Sequence, residues 1–570
     1  MEDMEMRNVF RSRNFFSCKS LSYLFVMSLG IATTAIAAGG GALWLSSGQD
    51  KTNARHQANE KILNVDNVNA LSVKWQIDTD GPVSATPTVD GSRIYFPDFA
   101  GNLYAADRDS GNVIWQTTVS SLNDGNFPAP PANNYSRNSP VVAGDLLIIG
   151  DQGGRAALES GQVFTHGSAR VWAIDKHTGQ PVWSTQVDTH MAAIVTSTPS
   201  VHGDIIYVGV SSYEEAYAGF LPSAIYACCT FRGSVVALDK NTGTILWKTY
   251  MAPQHNPASG PDFSGNSVWG SSPAIDPKRN SVYIATGNNY SLPDTITQCV
   301  LDELANGGDG ASCLPSDNHF DAIVALDMTT GAVKWSTTTI PTDTWNVGCL
   351  DIGLPVDPNH CPEDEGPDFD FGQAPMLYSV GSGKNKRDLL AVGQKSGIMW
   401  SLNPDNGDIV WSTQSGVGGI GGGFIWGSAT DGNRVYGSDA NSFAADWTFN
   451  DGTVTNSGGW AAMDAASGEV LWQTANPVPV APAGGAVTIA NGVLYACAQS
   501  SFIEAFLPPE LPLNNMFALD AATGNILWSH YSGGACNAGA AVVDGTLYWG
   551  FGYPGDAGAA KGSGLISFGL

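Results

Sequence analysis

Cysteine is the residue type with the most specific chemistry to offer in this sequence. Cys18 lies near the N-terminus, and the remaining eight are Cys228, Cys229, Cys299, Cys313, Cys349, Cys361, Cys497 and Cys536. An even set in an exported chain points to disulfides. Nearest-neighbour pairing gives 228–229, 299–313, 349–361 and 497–536, with other connectivities left open by the sequence. The first pair would join consecutive residues, whose Cα atoms, about 3.8 Å apart, fall below the usual disulfide range. A ring of that kind is rarely incidental; two separately paired cysteines are the alternative. No C-x-x-C-H run occurs, so no c-type haem is covalently attached, and any electrons collected leave to a separate carrier. The glycine-rich stretch 416–423 is not followed by Gly-Lys-Ser/Thr, which argues against a phosphate loop. Nothing resembles a dinucleotide fingerprint after a strand.

Composition narrows the partners. Lys and Arg number 26 against 53 Asp and Glu, for a net charge of −27. That balance argues against nucleic acid, because phosphate binding needs clustered cations. An acidic surface keeps a chain soluble and can steer a basic partner. Arg7, Arg11, Arg13 and Lys19 precede an apolar run from Leu21 to Ala38 that closes on Ala35-Ile36-Ala37-Ala38. Residues 1–38 therefore read as an export signal, which would leave 39–570 free of stable membrane association. An uncleaved anchor is the alternative, since apolar residues continue to Leu45, but Gly39-Gly40-Gly41 interrupts a continuous membrane helix.

A chain of 570 residues would ordinarily divide into several domains, so repeats must be sought first. One pattern recurs: a small residue, an Asp two later, a Gly four after that, then Trp four further on. It appears as Ala105-Asp107-Gly111-Trp115, Ala173-Asp175-Gly179-Trp183, Ala237-Asp239-Gly243-Trp247 and Ala325-Asp327-Gly331-Trp335. It continues as Ala462-Asp464-Gly468-Trp472 and Ala518-Asp520-Gly524-Trp528, and a weaker Ser401-Asn403-Gly407-Trp411 makes seven. Val235 to Leu238 reads as a strand, Asp239 to Gly243 as a turn, and Ile245 to Trp247 as the next strand. Gly supplies the positive φ of the turn, Asp bonds to nearby amides, and Trp offers a flat face to a neighbouring sheet. Strand pairs also precede each motif, as at Ile205 to Val208, and four strands per repeat describe propeller blades. The eighth blade is split: Gly564 to Leu570 reads as a third strand without a successor, and Val65 to Trp75 offers the missing fourth. Borrowing it closes the ring and removes an open edge. The expected fold is an all-β, eight-bladed propeller.

This tryptophan repeat resembles that of the quinoprotein alcohol dehydrogenases, which use pyrroloquinoline quinone (PQQ), from about Trp44 to Leu570. Cys228-Cys229-Thr230-Phe231-Arg232-Gly233 and Gly366-Pro367-Asp368-Phe369-Asp370-Phe371-Gly372 are most similar to the polyvinyl-alcohol dehydrogenase branch. The resemblance implies PQQ and Ca²⁺ as cofactors. Ser211-Ser212-Tyr213-Glu214 resembles the segment carrying a Ser to the cofactor and a Glu to calcium, with Glu215 as an adjacent alternative. Thr286-Gly287-Asn288 resembles the T-G-N that supplies a second ligand; oxygen donors of this kind suit a hard cation. Ser267-Val268-Trp269-Gly270 resembles the segment in which Trp stacks under the quinone, with Trp426 in a similar W-G-S setting as competitor. Cys228-Cys229 resembles the disulfide that covers the other face, one blade later than in methanol dehydrogenases. Pro341-Thr342-Asp343-Thr344-Trp345-Asn346 resembles P-x-D-x-W-D, which implies Asp343 as catalytic base and metal ligand, with Asn346 replacing the second acid. Gln394-Lys395-Ser396-Gly397 resembles K-N-G, whose Lys reaches the quinone oxygens. Arg137 and Thr196, at equivalent blade starts, are implied to bind the cofactor's carboxylates, and Ser84 replaces the family's Glu at the first such position.

The implied activity is periplasmic oxidation of secondary alcohols, polyvinyl alcohol or another polyol, with cytochrome c as electron acceptor. Ser84, Asn346 and the shifted cysteine pair point away from methanol. Long insertions at 290–319 and 349–372, each with a suggested disulfide, are expected to roof the central cavity. The same repeats occur in a non-catalytic outer-membrane assembly scaffold, so a binding propeller without turnover is the alternative.

Overall fold

A computed structural model describes residues 43–122, 133–163, 169–254, 262–351, 355–499, 513–553 and 562–570. The export-signal reading of residues 1–38 lies outside these.

Most strands sort into eight four-stranded antiparallel blades, seven of them built from segments that follow one another in the chain. Blades 1 to 7 span 88–118, 141–186, 200–250, 274–338, 376–414, 429–475 and 488–530. Blade 8 combines three strands from 541–569 with Ser72–Asp78, which pairs antiparallel with Gly564–Gly569. The expected strand from Val65 starts later than its apolar spacing suggests. Asn64 Oδ1 accepts from the Asp66 amide (2.9 Å) and Asn67 Oδ1 from the Asn64 amide (2.9 Å), ahead of a tight turn at Val68–Ala70. Short polar side chains that bond to nearby backbone hold it away from a sheet ladder.

The repeated motif works as one joint copied around the ring. Asp239 Oδ1 accepts from the amides of Asn241 (3.0 Å) and Thr242 (2.8 Å), and Gly243 closes the turn at φ +72°. Trp183 of the preceding blade lies on that glycine, where a Cβ would come within 2.5 Å of its ring, and its Nε1 donates to Lys240 O at 2.9 Å. Trp247 repeats this against Met328 O at 3.1 Å and Trp335 against Pro404 O at 3.2 Å. Trp75 of the closing strand joins blade 8 to blade 1 through Arg108 O at 3.1 Å. Each joint combines an aromatic face with a satisfied indole N–H, and in several a threonine beside it adds a bond to the same turn, as Thr185 Oγ1 does to Gly243 O at 2.6 Å.

Residues 44–57 tie the inner strands together. Carbonyls of Trp44, Leu45, Lys51, Thr52, Ala54 and Arg55 accept from Val89, Val142, Ile275, Leu377, Thr430 and Ile489, one in each of six blades. Gln57 Nε2 adds Val542 O of blade 8 at 3.0 Å. Arg55 is buried on this segment and donates to Val487 O and Ser47 O, both at 2.7 Å; burial lowers its guanidinium to about 10.

Candidate functional site

The inner blade edges surround a cavity of about 520 Å³ empty volume, lined among others by Ser84, Thr86, Arg137, Thr196, Trp269 and Trp426. Among the described residues no carboxylate lines it. Arg137 packs its guanidinium 4.3 Å from the Trp426 ring and 5.2 Å from that of Tyr553, and makes no ion pair among the described residues. A cation stacked on aromatic faces beside hydroxyls, without an ion pair among the described residues, is disposed to receive an anion. Trp269 and Trp426, competitors in the sequence, are walls of the same space. Trp269 Nε1 is buried without a hydrogen-bond partner.

An acidic cluster adjoins Trp269. Three segments assemble it: 288–290 pairs with 343–345, which in turn pairs with 365. Asn288 Nδ2 donates to Trp345 O (2.8 Å) and Asn289 O (2.9 Å), which leaves its buried Oδ1 unpartnered. Asp343 is 1% exposed and accepts from the amides of Asp368 (3.1 Å) and Phe369 (2.7 Å). Burial outweighs those amides and pushes its carboxyl up to about 6. Asp321 lies fully buried against it, held well above the usual range by burial and by the Asp343 and Asp370 charges.

Lys395 is the cation of the cluster. Its Nζ is 3.0 Å from both oxygens of Asp368 and 2.8 Å from Asp370 Oδ2. Burial alone would favour the neutral amine, but Asp368, Asp370 and Glu215 keep it charged. Asp370 Oδ1 accepts from the Asn288 amide at 2.8 Å. Gly287 permits this approach: a Cβ there would lie 1.9 Å from Asp370 Oδ1 and 2.9 Å from Trp269 Nε1. Ser267 Oγ is 2.7 Å from the buried Tyr290 hydroxyl, and Ser211 Oγ is buried without a partner.

Two readings shift at this point. Glu214, expected as a metal ligand, accepts from three protein donors: Oε1 from the Tyr226 hydroxyl and the Thr230 amide (2.7 Å), Oε2 from the Phe231 amide (2.8 Å). His190 Nε2 adds a contact at 3.4 Å. The neighbouring Glu215 is the acid whose charge acts on Lys395, Asp368 and Tyr290. Asn346, expected in place of an acid, caps a turn by accepting from the Gly348 amide at 2.9 Å and donates to His360 O at 2.8 Å. Asp368, Asp370 and Asp321 were not singled out as site residues in the sequence. The signal for the first two was alternating acids in a segment similar to the family; for Asp321, a charge heading the apolar strand Ala322–Asp327.

All four nearest-neighbour disulfides are present, at 228–229, 299–313, 349–361 and 497–536. Cys228 and Cys229 share one apolar cluster with Tyr290 and Trp269. Helix α1 (Glu214–Phe220) packs against the insertion stapled by 349–361, where the His360 ring nitrogens lie 2.8 Å from the carbonyls of Ala218 and Tyr226. Among the described residues no helix is long and apolar enough to cross a membrane.

Residues 44–352, more than half of the chain, match the model of the PQQ glucose/ethanol/alcohol dehydrogenase β-propeller domain, and the chain belongs to that family. It is a propeller of the PQQ-dependent alcohol dehydrogenase class. A polyvinylalcohol dehydrogenase of Sphingopyxis sp. (strain 113P3) is 28% identical over 94% of this chain and 76% of its own length. A second, from Pseudomonas sp., is 29% identical over 92% and 76%. The crystal structure of a quinohemoprotein alcohol dehydrogenase from Comamonas testosteroni has the same fold, with a TM-score of 0.64 at 17% identity, covering 93% of this chain and 80% of that one. Residues 395–563 also match the model of the outer membrane protein assembly factor BamB.

Proposed function

We propose that this protein oxidises secondary alcohol groups of polyvinyl alcohol or a related polyol, using PQQ and Ca²⁺, and passes the electrons to a cytochrome c in the periplasm. Its first 38 residues serve as the export signal. The observation that carries the reading is Asp343, buried beside the Lys395 ion-pair cluster and the unpartnered Asn288 Oδ1, next to the Trp269 wall of the axial cavity. The similarity to two polyvinylalcohol dehydrogenases over nearly the whole chain supports the substrate class.

The residues fit both groups. Arg137 offers a guanidinium without an acid partner, Thr196 and Ser84 offer hydroxyls, and Trp269 offers a flat wall with a spare N–H, as a planar polycarboxylate requires. Ser267 Oγ bonds to Tyr290, which shares an apolar cluster with Trp269 and Cys228–Cys229, and Ser211 offers a buried hydroxyl without a partner. Asn288, Asp343 and Glu215 would hold the cation, their oxygens suiting a hard divalent ion. When bound, PQQ supplies a two-electron acceptor and the cation a Lewis acid.

The chain's own residues do the rest. Asp343 takes the hydroxyl proton of the alcohol, and burial, by raising its carboxyl, makes it a stronger base than a surface aspartate. The Asp368 and Phe369 amides fix both of its oxygens. Lys395 keeps a positive charge in place, oriented by two carboxylates on one side.

The test is a panel of alcohols given to protein reconstituted with PQQ and Ca²⁺, with an artificial electron acceptor. Polyvinyl alcohol and short secondary alcohols are expected to be oxidised in preference to methanol. A preference for methanol would overturn the substrate class, and no acceptor reduction with any alcohol would favour a binding scaffold.

A further inference from the structure

We propose that Glu214 is a positioning residue that anchors the Cys228–Cys229 loop, so that the adjacent acids divide two tasks and Glu215 alone serves the cation. The second half rests on the cofactor reading above; the first half does not.

Helix α1 follows the second strand of blade 3, Ile205–Ser212, and the chain returns through 221–233 to the third strand, Ser234–Asp239. Glu214 grips that return on both sides of the disulfide. Its Oε1 accepts from the Tyr226 hydroxyl, two residues before Cys228, and from the Thr230 amide, immediately after Cys229. Its Oε2 accepts from the Phe231 amide at 2.8 Å. Glu214 is 0% exposed, Phe231 1% and Tyr226 5%, so the Tyr226 and Phe231 donors are shielded from water, while Thr230 stands at the exposed end of the loop. A buried amide left without an acceptor is costly, and a charged acceptor strengthens the bond it makes.

The carboxylate's charge is balanced locally. His190 Nε2 lies 3.4 Å from Oε1 and 3.0 Å from Thr230 Oγ1, so the same group braces both the acid and the loop. Burial would raise Glu214, yet His190 and the hydrogen bonds from Tyr226 and Thr230 hold it below its ordinary value. The disulfide that Glu214 fixes belongs to the cluster that contains Trp269 and Tyr290, and Cys229 O accepts from Ser291 Oγ at 3.4 Å. Glu214 thus sets where the disulfide stands relative to the cavity wall.

The experiment compares wild type, Glu214→Gln and Glu215→Gln as full-length protein. It reads hydrogen exchange at the Thr230 and Phe231 amides, the rate at which a phosphine reduces Cys228–Cys229, the affinity for Ca²⁺, and the absorbance band of bound PQQ. Glu214→Gln is expected to speed exchange and reduction about tenfold or more, because hydrogen bonds to a charged group are lost. It should shift the PQQ band and leave Ca²⁺ affinity within about threefold. Glu215→Gln is expected to weaken Ca²⁺ about tenfold or more without changing the reduction rate. The proposal is overturned if Glu214→Gln leaves exchange and reduction unchanged, or weakens Ca²⁺ as much as Glu215→Gln does. If only the Glu215→Gln effect on Ca²⁺ fails, the cation reading falls while the anchor stands. Should Glu214→Gln not fold, Tyr226→Phe removes one donor and must move exchange and reduction in the same direction, by about threefold.

Discussion

Asp343→Asn is expected to lower kcat by about 10²- to 10⁴-fold, the range over which a general base contributes, while PQQ still binds. The substitution keeps shape and leaves an oxygen able to accept one of the two amides that now hold the carboxylate, those of Asp368 and Phe369. What it removes is the ability to take a proton. The sign of the accompanying pH effect follows from burial, which raises the Asp343 carboxyl to about 6. Only the deprotonated form is a base, so kcat/KM should climb as pH rises through that region and level off above it. The variant should lack this limb. A profile unchanged by the substitution, or wild-type turnover, would assign the base elsewhere.

Lys395→Met is expected to destabilise the cofactor-free protein by about 3–5 kcal/mol at neutral pH, the cost of stranding buried charges. Asp368 and Asp370 are 1% and 2% exposed, and Lys395 is the cation that both contact. Removing it pushes the Asp368 carboxyl, which burial already holds well above the usual carboxylate range, higher still, so the folded variant holds a proton that the unfolded chain releases above about pH 4. Stability of the variant therefore falls as pH rises from there. Urea unfolding near pH 4.5 should show a small deficit and near pH 7.5 the full one. A deficit equal at both values would mean that Lys395 matters for its packing rather than for its charge.

The fold was legible because each motif residue has one mechanical duty that any blade requires. The Asp–Gly turn and the Trp face recur at fixed spacing, and Trp75 shows the same docking on Gly111 that Trp183 shows on Gly243. The site was legible only in part. Arg137, Thr196, Trp269 and Trp426 sit at repeat positions near the axis, so their convergence on one cavity follows from the ring. Asp368 and Asp370 lie within the 349–372 insertion, and it takes the bridge between Thr344 and Glu365 to return them to Asp343. Glu214 and Glu215 differ by one step on a helix. Which of them faces the cluster is decided by the loop that supplies Tyr226, Thr230 and Phe231, a tertiary fact with no local signature. Asn346 was read through the acid it replaces, whereas its short amide serves a turn.

The central claim, that the axial cavity receives PQQ against Trp269 and Arg137, is tested most directly by titrating the purified protein with PQQ in the presence of Ca²⁺ and following quinone absorbance and tryptophan fluorescence. Saturable binding of one PQQ per chain is the expected result, weakened about tenfold or more by Arg137→Ala, because a charge-assisted contact to a carboxylate is lost. Trp269→Leu should weaken it as well and remove part of the fluorescence quenching. Absence of saturable binding at every Ca²⁺ concentration, or binding indifferent to both substitutions, would contradict the account.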